Sequence, residues 1–464
     1  MIGYVREKIF IHDPTPEMHS WCRERLVIDN PEYVKKQNMG LWTGNIPRQF
    51  FLYEEVGKTC IVLPFGCLHE IHERFPDMEF RSRIRPAEVF RYDSRINLYP
   101  YQKNAVKAIL GARNGILVMP CGSGKTQTAL ETVSRIGMRA LWITHTQDLL
   151  TQSLNRAKSV YGCDPGSYGT ITDGRIKIGS GITFATVQTA SKVDLTPYRE
   201  EFGCVIVDEC HRAVSTPTRL TMFGKVLGNL SCRYKIGLTA TPKRADGMSK
   251  AMFALIGDVV HEVSREEVAG TTCPVEVRQI ETGYTPDMDM ALCGDGTINY
   301  AGLVEDMTHD QKRFNAVLSV IKDIPEGMPA LVLANRVEYL QSLSQQCGKK
   351  SMCLSGMGTG KKARQERKDA LASLNAGEID CLFATYQLAA EGLDCPNLRY
   401  VVFATPEKNE RIVAQASGRV ARKAEGKKVG IIIDLIDDFG MLYGWNKKRI
   451  NLYKKLGYEV ISYD

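Results

Sequence analysis

The sequence predicts two consecutive α/β units, each built on a doubly wound parallel sheet, preceded by a small α+β unit. From residue 115 onward, short runs rich in branched apolar residues alternate with segments of helical length. Buried parallel strands joined by helices have this pattern. The alternation resumes after an irregular stretch at about residues 265–327, which we interpret as a linker or insertion. The predicted domains are therefore residues 1–92, 93–268 and 269–464.

Each predicted strand is an apolar run of a few residues bounded by polar or turn-forming residues. In order, the strands of the first unit are GILVMP, RALWITHT, GITFATVQTA, GCVIVDEC and YKIGLTATP. Those of the second are PALVLAN, KSMCLSG, EIDCLFAT, RYVVFATP and GIIIDLID. The segment NLYKKLGYEVISYD at the end predicts a docking helix and strand, and residues 1–92 read as mixed short strands.

Composition restricts the class of protein. The chain has 464 residues, of which 44% are hydrophobic and 24% charged, and no apolar run approaches the ~20 residues that cross a bilayer. The N-terminus lacks the pattern of a signal peptide, so we expect a cytoplasmic location and no membrane partner. The net charge is +7, yet residues 1–92 carry equal numbers of acidic and basic residues, so the excess follows them. A basic excess permits a polyanionic partner.

The 14 cysteines raise the alternative of a metal site, with Cys204, Cys210 and His211 as its ligands. No CxxC pair occurs anywhere in the chain, whereas structural zinc sites use two close pairs of ligands. We therefore interpret the cysteines as small core residues.

A strand, a glycine-rich turn and a helix follow one another in GILVMPCGSGKT. Backbone N–H groups at Gly122, Ser123 and Gly124 would approach a triphosphate, Lys125 would reach its β and γ groups, and Thr126 would ligate Mg²⁺. The first glycine of the usual pattern is replaced by methionine, and a bare GKT occurs by chance in solvated loops. The flanking strand and helix favour a site for ATP.

A second strand, CVIVDE, ends in two acids. Asp208 would hold Mg²⁺, and Glu209 would orient and deprotonate the attacking water. The alternative is a pair of solvated acids at a strand end.

These two motifs resemble those of the superfamily 2 helicases and translocases, of the DEAD/DEAH type in the broad sense. Further motifs follow in the family's order: YPYQ, THTQDLL, ATVQTA, LTATP, ATYQLAAEGLDCP and QASGRVAR. The resemblance covers about residues 95–435 and implies two tandem RecA-like domains that use ATP and Mg²⁺. The segment TPKRADGMSKAMFALIGDVVHEV is similar to the XPB-like and phage UvsW-like branch, whose members act on duplex or branched DNA.

The resemblance also implies roles for single residues. Gln102 would read adenine, Arg419 and Arg422 would reach the γ-phosphate, and Gln415 would orient the water or the phosphate beside them. His211 would link hydrolysis to Thr239 and Thr241. Glu391 and Gly392 would couple the two lobes, and Asp394 would lie near the ribose. The backbone of a nucleic acid would be held by polar strand-end residues, for each of which a helix N-cap is an alternative role: Thr144, His145, Thr186, Gln188, Asn335, Arg336, Thr385 and Gln387.

The expected function is that of an ATP-dependent DNA helicase or translocase acting on duplex, forked or branched DNA. Alternatives are an RNA-remodelling ATPase, the motor subunit of a restriction or defence complex, and an ATP-dependent switch without a nucleic-acid substrate. In the N-terminal unit, GLWTGNIPRQFFLYEE interleaves aromatic and basic residues, which favours contact with DNA over a protein-docking or packing role.

Overall fold

The computed structural model describes residues 1–57, 59–120, 122–214, 216–242, 248–268, 270–294, 296–354, 360–390, 395–437 and 439–463. The chain divides into two compact units, of which the first comprises Met1–Pro120 and Gly124–Glu267. The second comprises Val268–Asp464 together with the short segment 121–123. The predicted domain boundaries at residues 92 and 268 stay predictions. In the part of the chain described, no helix has the length and apolar character needed to span a membrane.

The N-terminal part of the first unit is an α+β arrangement. Its main sheet has the strand order β5-β6-β2-β1-β7, antiparallel except for the pair β1 and β7, and a separate antiparallel pair joins β3 and β4. The strands are β1 (Ile2–Val5), β2 (Ile9–His12), β3 (Val27–Asp29), β4 (Gln49–Phe51), β5 (Glu54–Val56), β6 (Cys60–Leu63) and β7 (Glu79–Ser82). The helices are α1 (Pro16–Arg25), α2 (Pro31–Asn38) and α3 (Leu68–Arg74).

The rest of the first unit is an eight-stranded sheet in the order β11-β10-β12-β9-β13-β14-β8-β15, parallel except at β11. The strands are β8 (Asn114–Val118), β9 (Ala140–Thr144), β10 (Tyr168–Thr172), β11 (Arg175–Lys177), β12 (Ile182–Thr186), β13 (Cys204–Val207), β14 (Tyr234–Thr239) and β15 (Val259–Glu262). The helices are α4 (Pro100–Ala112), α5 (Lys125–Ile136), α6 (Gln147–Val160), α7 (Val187–Ala190), α8 (Pro217–Gly228), α9 (Ser249–Ile256) and α10 (Arg265–Val268). Strands β9, β12 and β13 are buried along their whole length, because helices cover both faces of the sheet.

The second unit contains a seven-stranded parallel sheet in the order β18-β19-β17-β20-β21-β16-β22. The strands are β16 (Val275–Glu281), β17 (Ala330–Ala334), β18 (Ser351–Cys353), β19 (Cys381–Thr385), β20 (Tyr400–Phe403), β21 (Gly430–Ile436) and β22 (Glu459–Tyr463). The helices are α11 (Met288–Ala291), α12 (Tyr300–His309), α13 (Gln311–Lys322), α14 (Val337–Gln346), α15 (Lys361–Ala376), α16 (Tyr386–Ala390), α17 (Glu410–Val420) and α18 (Gly440–Lys455).

These sheets confirm the predicted fold class and place every strand that the sequence predicted. The interpretation of residues 265–327 as a linker or insertion is wrong for much of that stretch. Strand β16 lies there and pairs in parallel with both β21 and β22, and helices α12 and α13 follow it. The physical reason is that Val275 and Val277 alternate with polar residues, a short pattern that the sheet buries on one face.

A buried lysine joins the N-terminal part to the eight-stranded sheet within the first unit. Lys235, near the start of β14, donates hydrogen bonds of 2.9 Å from Nζ to the carbonyl oxygens of Glu7 and Leu227. The same ammonium lies 4.4 Å from the centre of the Phe65 ring. Next to that ring, a Cβ built on Gly66 would lie 2.4 Å from the carbonyl oxygen of Phe253, so the chain approaches helix α9 at backbone contact. The two parts of the first unit therefore share one packed interface.

Candidate ATP site and nucleic-acid contacts

The turn between β8 and α5 has the backbone conformation that a phosphate-binding loop requires. Gly124 caps α5 with a φ of +80°, and a Cβ there would lie 2.5 Å from Nε2 of Gln102. Only glycine fits this position without displacing the Gln102 side chain. Helix α5 begins at Lys125, as predicted, and Thr126 is its half-buried second residue. The first N–H groups of an α-helix have no carbonyl partner within the helix, which favours an anion at this helix start.

Met119 and Gln102 lie beside the glycine-rich turn. The N–H of Met119 donates to the carbonyl oxygen of Thr239 over 2.9 Å, which ties the end of β8 to the end of β14. Gln102 is buried, and its Oε1 accepts the N–H of Tyr99 over 2.9 Å. Of the other two predicted loop residues, Ser123 is buried and Gly122 is exposed. The role of Gln102 in reading adenine stays a prediction.

The two acids of CVIVDE lie at the end of β13, across from the loop. Asp208 is buried, and its Oδ1 accepts the N–H of Glu209 over 3.0 Å. Glu209 has a left-handed backbone with a φ of +49°, which costs about 1–2 kcal/mol in a residue other than glycine. Its Oε1 lies 3.8 Å from Nζ of Lys125. The strained turn thus brings the carboxylate of Glu209 next to the loop lysine.

The electrostatics of this corner suit a divalent cation. Burial, and then the charge of Glu209, raise the pKa of Asp208 to about 7, although Lys125 opposes the shift. Two crowded carboxylates therefore face one ammonium, and within the described residues no donor hydrogen-bonds to the buried Oε2 of Glu209. Oxygen ligands of this kind are those that Mg²⁺ prefers. The residues present fit a Mg²⁺ ion with bound phosphates.

A short chain of polar contacts runs from Glu209 to Thr241. Nδ1 of His211 lies 3.2 Å from Oε2 of Glu209, an ion-pair distance, and 2.9 Å from Oγ1 of Thr239, within hydrogen-bond geometry. The hydroxyl of Thr239 in turn donates to the carbonyl oxygen of Thr241 over 3.2 Å and accepts its N–H over 3.0 Å. His211 is buried. The geometry therefore joins the acid of the site to the end of β14, where the sequence predicted a link.

The neighbouring thiols pack in the core. Cys204 and Cys210 are fully buried, and burial raises the pKa of each thiol well above its usual value. A Cβ built on Gly237 would lie 2.9 Å from Sγ of Cys210, and that sulfur lies 3.6 Å from Sδ of Met252. In the ranges described, no group of three or more His, Cys, Asp or Glu side chains is placed to hold a metal.

The predicted nucleic-acid contacts of the first unit lie at two neighbouring strand ends, since Thr144 of β9 and Thr186 of β12 are paired in register. Thr144 is buried and donates to the carbonyl oxygen of Thr146 over 3.0 Å, and Thr146, not Thr144, caps α6. Nε2 of Gln188 donates to the carbonyl oxygen of the buried His145 over 2.9 Å. These contacts shape the loops, and their role with nucleic acid stays a prediction.

The corresponding residues of the second unit also lie at adjacent strand ends. Asn335 follows β17, and Thr385 ends β19, its neighbour in the sheet. The N–H of Asn335 donates a hydrogen bond to Oγ1 of Thr405 over 3.0 Å. Arg336 and Gln387 are exposed. The carboxyl ends of β17 and β19 therefore carry amide, hydroxyl and guanidinium groups close together.

Helix α17 carries the remaining predicted residues of the second unit. Gln415 and Arg419 are one turn apart on the helix, and Arg422 follows its end. Arg419 is buried and donates from Nη2 to the carbonyl oxygen of Ala389. Their roles in catalysis stay predictions. The predicted residues Glu391, Gly392 and Asp394 lie outside the described residues.

Sequence reasoning missed a buried ion pair at the carboxyl ends of two inner strands of the second sheet. Arg313 of α13 is fully buried and makes two hydrogen bonds, of 2.9 and 3.0 Å, to the carboxylate of Asp437. Its Nη1 donates to the carbonyl oxygen of Ala404 over 2.8 Å. Arg313 thus connects the end of β20 to the end of β21. Its contact on the β20 side is Ala404, the residue before Thr405. A lone arginine in a helical segment does not reveal this role, because most such arginines are solvated.

Two protein families match the chain. Residues 95–244 match the family described as type III restriction enzyme, res subunit, and residues 312–424 match the helicase conserved C-terminal domain. The first match contains the glycine-rich loop, the two acids and Thr239. The second contains Asn335, helix α17 and Arg422.

Named proteins are similar over most of the chain. A protein named as an ATP-dependent RNA helicase of Acanthamoeba polyphaga mimivirus is 24% identical over 449 residues, which cover 93% of this chain and 79% of that protein. The DNA 3'-5' translocase XPB2 of Sulfurisphaera tokodaii is 26% identical over 385 residues, covering 76% and 85%. The ATP-dependent DNA helicase UvsW of Enterobacteria phage T4 is 25% identical over 431 residues, covering 85% and 82%.

A solved structure supports the fold. Dbp5 of S. cerevisiae bound to RNA and ADP–BeF3 matches with a TM-score of 0.56 at 16% identity, over 78% of this chain and 89% of that one. At this identity the similarity shows the fold alone, which is that of tandem RecA-like domains.

Proposed function

The chain belongs to the superfamily 2 helicases, close to the XPB- and UvsW-like members, and we propose that it is a DNA helicase or translocase acting on duplex, forked or branched DNA. Membership of this family makes it an ATP-hydrolysing helicase. The DNA substrate is the proposed step, supported by the two relatives named as a DNA translocase and a DNA helicase.

One observation supports the mechanism above all others: Glu209 lies 3.8 Å from Lys125 through one oxygen and 3.2 Å from His211 through the other. A carboxylate in this place can orient and deprotonate a water. It also contacts the lysine of the loop on one side and, on the other, the histidine that reaches the end of β14. The carboxylate of Glu209 would then take part in hydrolysis and also contact the histidine that reaches the coupling segment at Thr239.

The loop and the two acids hold the nucleotide in this proposal. The N–H groups of Gly122, Ser123 and Gly124 bind phosphate oxygens, and the ammonium of Lys125 neutralises their charge. Thr126 and Asp208 hold Mg²⁺. Bound ATP and Mg²⁺ supply the transferable phosphoryl group and the charge neutralisation that phosphoryl transfer requires.

We assign further steps to the second unit. Arg419 and Arg422 donate to the γ-phosphate, and Gln415 orients the water or the phosphate. Loss of such an arginine lowers turnover by roughly 10³ to 10⁵ in phosphoryl-transfer enzymes generally. The strand-end hydroxyl, amide and guanidinium groups bind phosphate oxygens of the nucleic acid, so binding is independent of base sequence.

A second candidate is an RNA-remodelling ATPase, because the relative that covers 93% of the chain is named as an RNA helicase. Contacts to phosphates serve both nucleic acids, whereas readers of the 2′-hydroxyl distinguish them. A third, the motor subunit of a restriction complex, is suggested by the description of the family that matches residues 95–244.

The deciding experiment measures the rate of ATP hydrolysis without nucleic acid and with single-stranded DNA, duplex DNA, a fork, a four-way junction and RNA. We expect the largest stimulation from duplex or junction DNA, and Lys125→Ala provides the inactive control. Stimulation by RNA alone would establish the second candidate, and equal rates with every addition would exclude a nucleic-acid motor. Copurification of a nuclease subunit with the protein would favour the restriction motor.

A further inference from the structure

Trp42 is held outside the core of the N-terminal part of the first unit. Its side chain is 87% exposed, whereas Trp21 and Trp142 are buried. The adjacent Leu41 and Met39 are also exposed, at 52% and 61%. Exposed clusters of large apolar side chains mark binding surfaces more often than scattered single residues do.

The backbone before Trp42 is fixed by the end of helix α2. The N–H of Leu41 donates to the carbonyl oxygen of Lys36 over 2.9 Å, and that of Gly40 donates to Gln37 over 3.0 Å. With a φ of +64° at Gly40, these two bonds form a Schellman cap. The apolar residue after such a cap usually packs back on the helix, but Leu41 here is exposed. The cap therefore directs Leu41 and Trp42 outward.

A turn fixes the backbone after Trp42. The N–H of Ile46 donates to the carbonyl oxygen of Thr43 over 3.1 Å. A Cβ built on Gly44 would lie 3.0 Å from the indole ring, so the glycine backbone supports one edge of that ring. The indole is thus positioned by its own loop while most of its surface stays open. A ring held in this way loses little conformational entropy on binding.

The base of the loop is anchored to the fold. Asn30 is buried, and its Oδ1 accepts the N–H of Glu32 over 3.0 Å, which caps α2. Its Nδ2 donates to the carbonyl oxygen of Pro47 over 2.9 Å, and its N–H donates to that of Arg48 over 2.8 Å. Strands β3 and β4 pair directly below. The buried Asn30 therefore holds together the start of α2 and the chain at Pro47 and Arg48, the two ends of the segment that contains Trp42.

The charge of the loop is complementary to a polyanion. Residues 30–48 carry Lys35, Lys36 and Arg48 against the single carboxylate of Glu32. Lys35 and Arg48 are exposed, and among the residues that the structure describes none of the three cations is in an ion pair. Proteins that bind single-stranded nucleic acid combine cations with open aromatic rings, and this segment contains both.

From these features we infer that the segment 39–48, which we call the Trp42 loop, binds DNA at a junction by stacking Trp42 on an unpaired or terminal base. Lys35, Lys36 and Arg48 contact the adjacent phosphates. This inference rests on the proposed DNA helicase function and adds to it a contact outside the motor motifs. A protein partner would match the apolar residues equally well, but the excess of cations in the same segment as an open aromatic ring favours a nucleic acid.

The test uses the full-length protein and a fork that carries 2-aminopurine at its first unpaired position. We expect Trp42→Ala to bind the fork about tenfold more weakly, since one base–aromatic stack contributes that much or more. The quenching of 2-aminopurine by the wild-type protein is expected to disappear in this variant. Trp42→Phe keeps a stacking ring and is expected to restore most of both signals.

Val56→Ala is the matched control, because Val56 is also an exposed apolar residue of the N-terminal part, on the edge strand β5. It is expected to bind and quench like the wild type. Each variant is compared by thermal unfolding, and an unchanged transition is expected because Trp42 is exposed.

The outcomes distinguish a failure of the inference about the Trp42 loop from a failure of the proposed helicase function. If duplex DNA stimulates ATP hydrolysis of the wild type but Trp42→Ala binds and quenches the fork unchanged, the Trp42 loop has no such role and the motor function stands. Loss of a protein–protein association in place of fork binding would likewise overturn the inference. If no DNA stimulates the wild type, the proposed function itself fails.

Discussion

Replacing Asp208 by asparagine is expected to stabilise the metal-free protein at neutral and alkaline pH. The pKa of Asp208 is raised from 3.8 to about 7, so the folded state keeps a proton that the unfolded state has lost between these two values. Stability therefore falls as the pH rises through this window and levels off above it. At about 1.4 kcal/mol per pKa unit, the raised pKa costs roughly 2 kcal/mol of stability at pH 5, where the folded state must keep its proton, and roughly 4 kcal/mol at pH 8.

Asparagine has the shape of the protonated acid and keeps an oxygen that can accept the N–H of Glu209. The difference in unfolding free energy between Asp208→Asn and the wild type should therefore grow by roughly 2–3 kcal/mol from pH 5 to pH 8. For a unit of this size that corresponds to roughly 5–10 °C in the unfolding temperature. The same variant should lose ATP hydrolysis, since it loses a proposed Mg²⁺ ligand.

The assay is thermal unfolding with EDTA at the two pH values. Asp194→Asn is the control, because hydrogen bonds from Thr196 lower the pKa of this exposed carboxyl, so its removal should bring no gain that grows with pH. A difference for Asp208→Asn that stays constant or shrinks between pH 5 and pH 8 would refute the reasoning from burial and like charge.

Three further outcomes are expected. Lys125→Ala should lower ATP hydrolysis to background in a coupled phosphate-release assay, and retained hydrolysis would refute the site. His211→Ala should keep hydrolysis while strand displacement falls about tenfold, the equivalent of one hydrogen bond to Thr239, and an equal loss of both would show that His211 is needed for the chemistry itself. Gly124→Ala should weaken nucleotide binding in a titration calorimeter, because its Cβ would lie 2.5 Å from Gln102 and its φ is positive; unchanged affinity would contradict the geometry of the loop.

The sheets could be predicted because their signals are local. A run such as CVIV is buried on both faces, and its composition alone separates it from the helices around it. The start of α5 at Lys125 was equally predictable, since glycines and a lysine mark it. Strand β16 was not, because its alternation of valines with polar residues becomes meaningful only when β21 and β22 lie beside it.

Within the site, residue types were predictable but their environments were not. The sequence identifies Asp208 and Glu209 as acids, while the burial that raises the pKa of one and the left-handed backbone of the other depend on the surrounding fold. Likewise, the letters GLWTG show that an aromatic residue lies among glycines. They do not show that Leu41 is exposed after the Schellman cap, where such a residue more often packs against its helix, or that Trp42 beside it is exposed as well.

The buried ammonium of Lys235 connects the N-terminal part to the eight-stranded sheet through hydrogen bonds to Glu7 and Leu227. β14 begins next to this contact and ends at Thr239, so the strand whose end we propose to couple hydrolysis to movement also carries the lysine that holds the backbone of Glu7. A shortened protein without residues 1–92 would open this interface, place a desolvated charge and the face of α9 in water, and confuse lost folding with lost DNA binding. Point substitutions on the intact chain, not truncation, are therefore the way to ask what the N-terminal part contributes.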